Sequence, residues 1–264
     1  MGLGAVPGTG TVMTAAQIRD ALQTLTGGAR LDASAIKNLI VGGGGGPTDP
    51  LFNNVVLLLP LTTAAGISDV QGKTVTNIGT TASTAILDPF GTNTGVRAFG
   101  GAGARLETPS SSDFAFGGGA YAIEWWIYPT SFPSGTSWGL FDTRLPNTGT
   151  DFIGQGDPSG KIRMTEAFMV PGFTGSGLTL NQWNYICFSR DSSTNQKCWI
   201  NGVLQYTAPG RTSPMTAATT LLIGDNTDSA PPFDGSLTGY ASNLRITRAY
   251  RDGSIVPTAP FPTN

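Results

Sequence analysis

Glu124 is the carboxylate best placed for chemistry, in the run Tyr121-Ala122-Ile123-Glu124-Trp125-Trp126-Ile127-Tyr128-Pro129. On a strand, residues two apart share a face, so a second carboxylate at 126 or 128 would aim an acid and a nucleophile at one bond. Those positions hold Trp126 and Tyr128. Glu124 therefore reads as a structural carboxylate, paired with Arg245 or Arg190. Asp142 and Glu166 fall on other candidate strands, with no spacing that makes them converge. The chain has no histidine, which removes the Ser-His-Asp triad, the Cys-His pair and every His-ligated zinc or iron site. No enzyme is expected.

Two further groups could do chemistry. Asp225, Asn226 and Asp228, with Asp234 close behind, form the densest cluster of oxygen ligands in the chain. Hard cations prefer such oxygens, although an acidic loop is also an ordinary solvated turn. Cys187 and Cys198 are too few to build a zinc site. They flank a polar tip, and pairing Asp191 with Thr194 around Ser192-Ser193 would set Cys187 opposite Cys198. Directly opposed Cβ atoms lie ~4.5–5.5 Å apart, long for a relaxed bridge. Two neighbouring, reduced thiols are the expectation.

The elements that must position these groups read as short strands. Besides residues 121–129, strands are expected at Trp183–Asp191, Gln196–Gly202, Val203–Tyr206, Thr220–Gly224 and Gly239–Thr247, with Asn201-Gly202 as a tight turn. Both faces of 121–129 are apolar, so both must be covered. Gly 37 and Pro 18 exceed a fifth of the chain, yet aromatics interrupt every stretch, so the excess marks turns rather than disorder. The fold expected is mainly β, a jelly-roll sandwich over residues 51–264. Trp125, Trp126, Trp183 and Trp199 are expected within it.

Five glycines, Gly42–Gly46, separate that domain from residues 1–41, with 42–50 as a linker. Thr14 to Gln17 fits a capping box, with Met13 and Ile18 as its staple. Ile18, Leu22 and Leu25 make one apolar stripe, and Gly27-Gly28 ends the helix. Asp32 caps a second short helix, stapled by Leu31 and Ile36, with Leu39 and Ile40 inside. Helices this short are marginal alone. The segment is either a leader that happens to carry caps or an oligomerisation and docking peg built on Ile18, Leu22, Leu25, Leu31, Ile36 and Leu39.

Charged residues make up 12% and the formal net charge is −2, so no basic surface exists for nucleic acid. The longest apolar run, Val55–Leu59, is far below the ~18 residues of a membrane span. MGLGAVPGTG carries no basic or apolar signal region, Val6 breaks the myristoylation pattern, and no Asn-x-Ser/Thr sequon occurs. A chain made in a cytoplasm, without membrane insertion, is predicted.

The blocks Ile123-Glu124-Trp125-Trp126-Ile127-Tyr128-Pro129, then Trp183 through Arg190-Asp191 to Trp199-Ile200-Asn201-Gly202, then Ile223-Gly224, Phe233-Asp234-Gly235 and Leu244-Arg245-Ile246 resemble the laminin-G-like branch of the concanavalin A-like lectin/glucanase superfamily. The resemblance implies a sandwich over roughly residues 54–250. It also implies calcium at a rim, on Asp225, Asn226, Asp228 and Asp234. Phe132, Trp138, Phe173 and Phe233 near loops would stack on sugar rings, or else anchor their loops into the core. The run Arg30-Leu31-Asp32-Ala33-Ser34-Ala35-Ile36-Lys37-Asn38-Leu39, with Ala21-Leu22 and Leu25-Thr26-Gly27 before it, resembles a module of tailed-phage virion proteins. That second resemblance implies a homotrimer located in the virion, contacting other virion proteins through its peg. It implies a tail fibre that adheres to host-surface glycan, or alternatively a capsid decoration or head fibre.

Overall fold

Apolar side chains alternate along most strands and assemble two sheets face to face. The computed structural model describes residues 48–101, 103–134, 137–144, 151–166, 169–212, 215–216, 219–227 and 235–264. The compact unit begins at Asp49, inside the expected linker, because Asp49 is buried and bonded to the domain. The expected peg, residues 1–41, lies outside the described residues.

Among the described residues, an eight-stranded sheet runs β12 (Val203–Ala208), β11 (Gln196–Ile200), β10 (Asn184–Arg190), β6 (Tyr121–Ser131), β15 (Thr238–Thr247), β4 (Val96–Gly100) and β3 (Thr81–Ser83), with β1 (Val55–Leu59) also on β15. A seven-stranded sheet runs β2 (Thr76–Ile78), β5 (Arg105–Thr108), β13 (Leu221–Ile223), β7 (Trp138–Asp142), β8 (Phe152–Gly156) and β9 (Ile162–Glu166), with β14 (Gly235–Ser236) parallel to β7. The only helices among the described residues are two single 3-10 turns, Phe52–Asn54 and Ser112–Phe114. The described domain is a mainly β sandwich, consistent with a jelly roll.

Between the sheets lies one apolar core. β6 contributes Tyr121, Ile123, Trp125 and Ile127, and β10 contributes Ile186 and Phe188. The facing sheet supplies Leu106, Leu140, Phe141, Phe152, Ile162, Met164, Leu221 and Ile223. Aromatic rings knit the layers: Phe141 meets Phe188 edge-on at 5.7 Å, and Phe99 meets Trp125 at 6.2 Å.

A second cluster covers the outer face of the eight-stranded sheet, as the double-sided apolar pattern of β6 requires. Trp126, Tyr185, Cys187 and Trp199 point outward there. The segment 248–264 lies over them, with Tyr250 edge-on to Trp199 at 6.3 Å and Phe261 buried among them. Phe90 meets Trp126 at 5.8 Å, and its loop is tied by Asp88, which accepts hydrogen bonds from Phe90 N, Thr92 N and Thr94 N. Trp125, Trp126 and Trp199 are buried as expected. Trp183 is only half-buried; its Nε1 donates to Leu87 O at 2.9 Å, so it closes the rim instead of filling the interior.

The β10–β11 hairpin exists, but its register corrects the expectation. Arg190 pairs with Gln196, which sets Cys187 opposite Trp199 and Cys198 opposite Phe188. The tip holds five residues: Asp191 N donates to Asn195 O, Thr194 N donates to Asp191 O, and Thr194 takes φ 62°. That one additional residue moves the two thiols to opposite faces of the sheet. Cys198 sits in the inner core and Cys187 in the outer cluster, both free and buried. Burial pushes both thiols well above their ordinary value.

Candidate functional site

Each of the three carboxylates weighed for catalysis is held by an arginine in a different place. Glu124 faces outward on the eight-stranded sheet, where Arg245 grips it twice, Nε to Oε2 at 2.8 Å and Nη2 to Oε1 at 2.9 Å. Tyr185 adds its hydroxyl at 2.7 Å, Arg251 approaches at 3.3 Å, and Asp49 pairs with both arginines. Phe261 stacks 4.0 Å from the Arg245 guanidinium. Arg190 does not take part: it pairs with Glu166 at 2.6 Å, both fully buried, inside the sandwich with Tyr121 and Gln196. Asp142 belongs to the seven-stranded sheet, where Arg144 and Thr227 bond its carboxylate. The Glu124 cluster is a clasp, since the same residues hold Asp49 and Phe261 against the sheet.

The outer face of the seven-stranded sheet carries a different pattern. Register places Thr76, Glu107, Leu222, Asp142, Ile153 and Thr165 in one outward row across six strands. Gln155 and Arg163 pair directly in the next row, on the same face. Their inward neighbours are Phe152, Ile162 and Met164, all core residues. The outward side chains are polar or charged at six of these eight positions, where the other sheet's outer face is an aromatic cluster around one charged clasp.

At one end of this face, Arg163 Nε donates to Gln155 Oε1 at 3.2 Å, and its guanidinium stacks 4.2 Å from the Phe173 ring centroid. The segment carrying Phe173 runs along β9, because Thr174 N donates to Ile162 O and Thr174 Oγ1 accepts from Ile162 N. The hairpin supporting the pair turns at Asp157–Lys161. Asp157 Oδ1 accepts from Ser159 N and Lys161 N there, and Gly160 takes φ 77°. Burial lowers the Arg163 pKa, opposed by Tyr206 and Asp157; a guanidinium remains charged.

The rim expected to hold a cation is described only in part. Asp225 Oδ1 accepts from Ser236 Oγ at 2.9 Å, and Oδ2 lies 3.7 Å from Arg105 Nη1. Burial raises its carboxyl above the ordinary value, against hydrogen bonds from Asn226 and Ser236, with the charge of Asp142 adding to the rise. Asn226 Nδ2 donates to Gly235 O at 3.4 Å. Asp228 and Asp234 lie outside the described residues, as does Phe233. Among the described residues no three His, Cys, Asp or Glu side chains group as a metal site.

Of the aromatics expected near loops, Trp138 is a core residue, 1% exposed, with Nε1 donating to Asp157 O. Phe132 stacks on Trp138 at 5.9 Å and so anchors its loop. Phe173 is the one that meets a polar neighbour on an outer face. Ile18, Leu22, Leu25, Leu31, Ile36 and Leu39 lie outside the described residues. Gln155 and Arg163 were not anticipated. The signal was Ile162-Arg163-Met164-Thr165, which alternates with a period of two behind a turn-forming Asp157-Pro158-Ser159-Gly160.

Comparison with known proteins bears on the fold. A laminin-G family model, described as concanavalin A-like lectin/glucanases superfamily, matches residues 99–258, more than half of the chain. A search of curated proteins found no match. Among solved structures, a botulinum neurotoxin type C structure aligns at TM-score 0.54 and 12% identity, over 77% of this chain and 50% of that one. Domain 4 of the arabinanase AbnA from Geobacillus stearothermophilus aligns at 0.51 and 16%, over 76% and 95%. A sialidase mutant of Trypanosoma rangeli aligns at 0.54 and 15%, over 76% and 32%. The aligned part spans about half the length of the neurotoxin chains. At these identities the likeness is one of fold.

Proposed function

The chain belongs to the concanavalin A-like lectin/glucanases superfamily, and on that premise we propose that it is a virion surface protein displaying a glycan-binding domain. The observation that carries the binding reading is the contrast between outer faces. One is sealed by the chain's own tail, and the other sets a partly exposed Arg163 against Phe173, with the buried Gln155 and Thr165 on the same face. Fold alone does not assign function, but related folds supply the class of ligand. The neurotoxin type C depends on interaction with two ganglioside molecules to get into cells, and the arabinanase domain was solved with arabinotriose. Binding without turnover is the reading, because Glu124, Asp142 and Glu166 are each engaged by an arginine.

What supports the virion reading is the run Arg30–Leu39 and the glycines that follow it. A peg that oligomerises, as a homotrimer, would attach the domain to the particle in the manner of a tail fibre. The full chain on a glycan array tests the binding reading, and release of reducing sugar from a bound polysaccharide would overturn binding without turnover. Copy number in purified virions tests the placement: a few per particle fits a tail fibre, hundreds fit a capsid decoration or head fibre, and none refutes both. Replacing Leu22 and Leu25 with Ser should abolish oligomerisation while leaving the thermal unfolding of the β-domain unchanged. Trimers that survive this change would refute the peg.

A further inference from the structure

We infer that the Gln155–Arg163–Phe173 patch takes a sugar bearing a carboxylate. The inference rests on the glycan-binding reading and names the chemistry of the ligand. Five other arginines of the domain have a carboxylate partner: Arg105 on Glu107, Arg144 on Asp142, Arg190 on Glu166, and Arg245 and Arg251 on Asp49 and Glu124. Arg163, like Arg97, Arg211 and Arg248, has none at ion-pair distance among the described residues, but it alone of these four stacks on an aromatic ring. Its partners there are a neutral amide oxygen and an aromatic ring. Asp157 acts on it from farther away, and that carboxylate is already the acceptor of its own turn.

The orientation of the guanidinium follows from these contacts. Nε is used by Gln155 and one flat side by Phe173, so the two terminal nitrogens remain as a parallel pair of donors. That fork matches the two oxygens of a carboxylate, and stacking on the ring holds the fork in place before the ligand arrives. The surrounding inventory has the same sign. Gln155 spends its oxygen on Arg163, which leaves its amide NH2 without a protein partner among the described residues. The Thr165 hydroxyl stands one pair along the same face. A patch of donors with its acceptors consumed selects an acceptor-rich anion. The carboxylate occupies the fork, and ring hydroxyls of the same sugar accept from Gln155 and Thr165.

The experiment uses the full chain and six probes, measured by calorimetry and ligand-observed NMR: two acidic sugars, their reduced forms, a sulfated trisaccharide and an oligoglutamate peptide. Trigalacturonate and sialyllactose are each compared with the same sugar after reduction of its carboxyl to an alcohol. At least one acidic form should bind roughly tenfold to a hundredfold tighter than its reduced form, the range of a charge-assisted hydrogen bond. Arg163→Gln should erase that ratio. Arg163→Lys, which keeps the charge without the fork, should retain only part of the ratio. A ratio near one in the unaltered chain overturns the inference, even if the neutral sugars bind. A ratio that survives Arg163→Gln overturns it too. So does equal affinity for a sulfated trisaccharide or an oligoglutamate peptide, since either would show that charge alone is recognised. Failure of every sugar on a broad array, neutral ones included, is a separate result and refutes the glycan-binding reading beneath it.

Discussion

The two outer faces of this sandwich solve the same problem in opposite ways. On the eight-stranded sheet, strands with aromatic residues on both sides would leave Trp126, Tyr185 and Trp199 wet, so the chain folds its last residues back over them. Large exposed apolar patches are rare on soluble domains. A charged clasp of Asp49, Glu124, Arg245 and Arg251 secures that cover at both ends of the domain, with Asp49 N also donating to Asn264 O. On the seven-stranded sheet the outward row is mostly polar, yet Asp142, Ile153, Gln155 and Thr165 are buried there too, and Arg163 is only partly exposed. On the first face every charge of the clasp is paired, whereas on the second Arg163 has no carboxylate partner among the described residues, although Asp142 and Glu107 are paired there.

Removing one member of each charged group tests that contrast most severely. Arg245→Ala leaves Glu124 buried without its main partner and Asp49 with Arg251 alone. Breaking a buried pair from one side costs about 3–5 kcal/mol, and a domain of this size loses ~2–4 °C of Tm for each kcal/mol. Arg163→Ala should change Tm by no more than a degree or two, since it removes a stacked contact on a half-buried face. Thermal unfolding of the two variants side by side decides the matter. Equal losses would mean the faces do not differ in the way their contacts say.

The next effect concerns the inward side of the polar sheet. Gly154 and Gly156 sit where core side chains are due, because neighbouring rings already fill those places. A Cβ on Gly154 would fall 2.5 Å from Phe141 Cζ, and one on Gly156 would fall 2.1 Å from Trp138 Cε2. Gly156→Ala should cost about 1–3 kcal/mol by overpacking, as read from chemical denaturation. A neutral result would imply that the ring of Trp138 moves freely.

Those glycines also explain what was legible in the sequence. β6, β10, β11 and β15 stand out because apolar and aromatic residues mark them on both faces, and the covered sheet follows from that pattern. β8 has no apolar alternation, since its inward positions hold Gly154 and Gly156 while Trp138 and Phe141 reach across from β7. Without β8, nothing in the sequence pairs Gln155 with Arg163. The pairing of Glu124 with Arg245 was within reach because both occupy strong strand blocks. The choice between Arg245 and Arg190 was not, since it depends on a bulge in β15 between Ser242 and Arg245.

Acid should separate the faces with a smaller effect. Burial pushes Asp88 upward, yet hydrogen bonds from Thr94, Thr92 and Phe90 outweigh it and hold the carboxyl at about 2. For Asp49, burial is likewise outweighed by Arg251, Leu51 and Arg245, so its carboxyl also lies below the ordinary value. A depressed carboxyl contributes stability that is present above its unfolded value and lost as pH falls through the folded one. The sealed face should therefore weaken from about pH 4 down to about 2, by roughly 1–2 kcal/mol for Asp88. Asp225, on the other sheet, is raised by burial, so its proton stabilises the fold at low pH and that gain is lost as pH rises through the folded value. Asp88→Asn should flatten the acid limb of a stability–pH curve. Asp225→Asn should raise stability slightly at pH 7. The same slope in both variants would sink the contrast.

The smallest expected effect lies in the hairpin tips, one on each sheet. Asp157–Lys161 and Asp191–Asn195 share a plan: the Asp side chain accepts from the backbone two and four residues on, and the fourth residue is left-handed. In the polar sheet that fourth residue is Gly160, φ 77°, while in the covered sheet it is Thr194, φ 62°. A β-branched residue is strained there by about 1–2 kcal/mol, and glycine is not. Glycine also gains freedom in the unfolded chain, which returns part of that difference. Thr194→Gly should therefore stabilise the domain by about 0.5–1 kcal/mol and leave the register of Arg190 opposite Gln196 intact. Loss of stability would mean that the Thr194 side chain makes a contact worth more than the strain. A shift to a two-residue tip, with Cys187 facing Cys198, would be detected as fast disulfide formation under mild oxidant. It would show that the tip, and not the packing of Cys198 inside and Cys187 outside, selects the register of this hairpin.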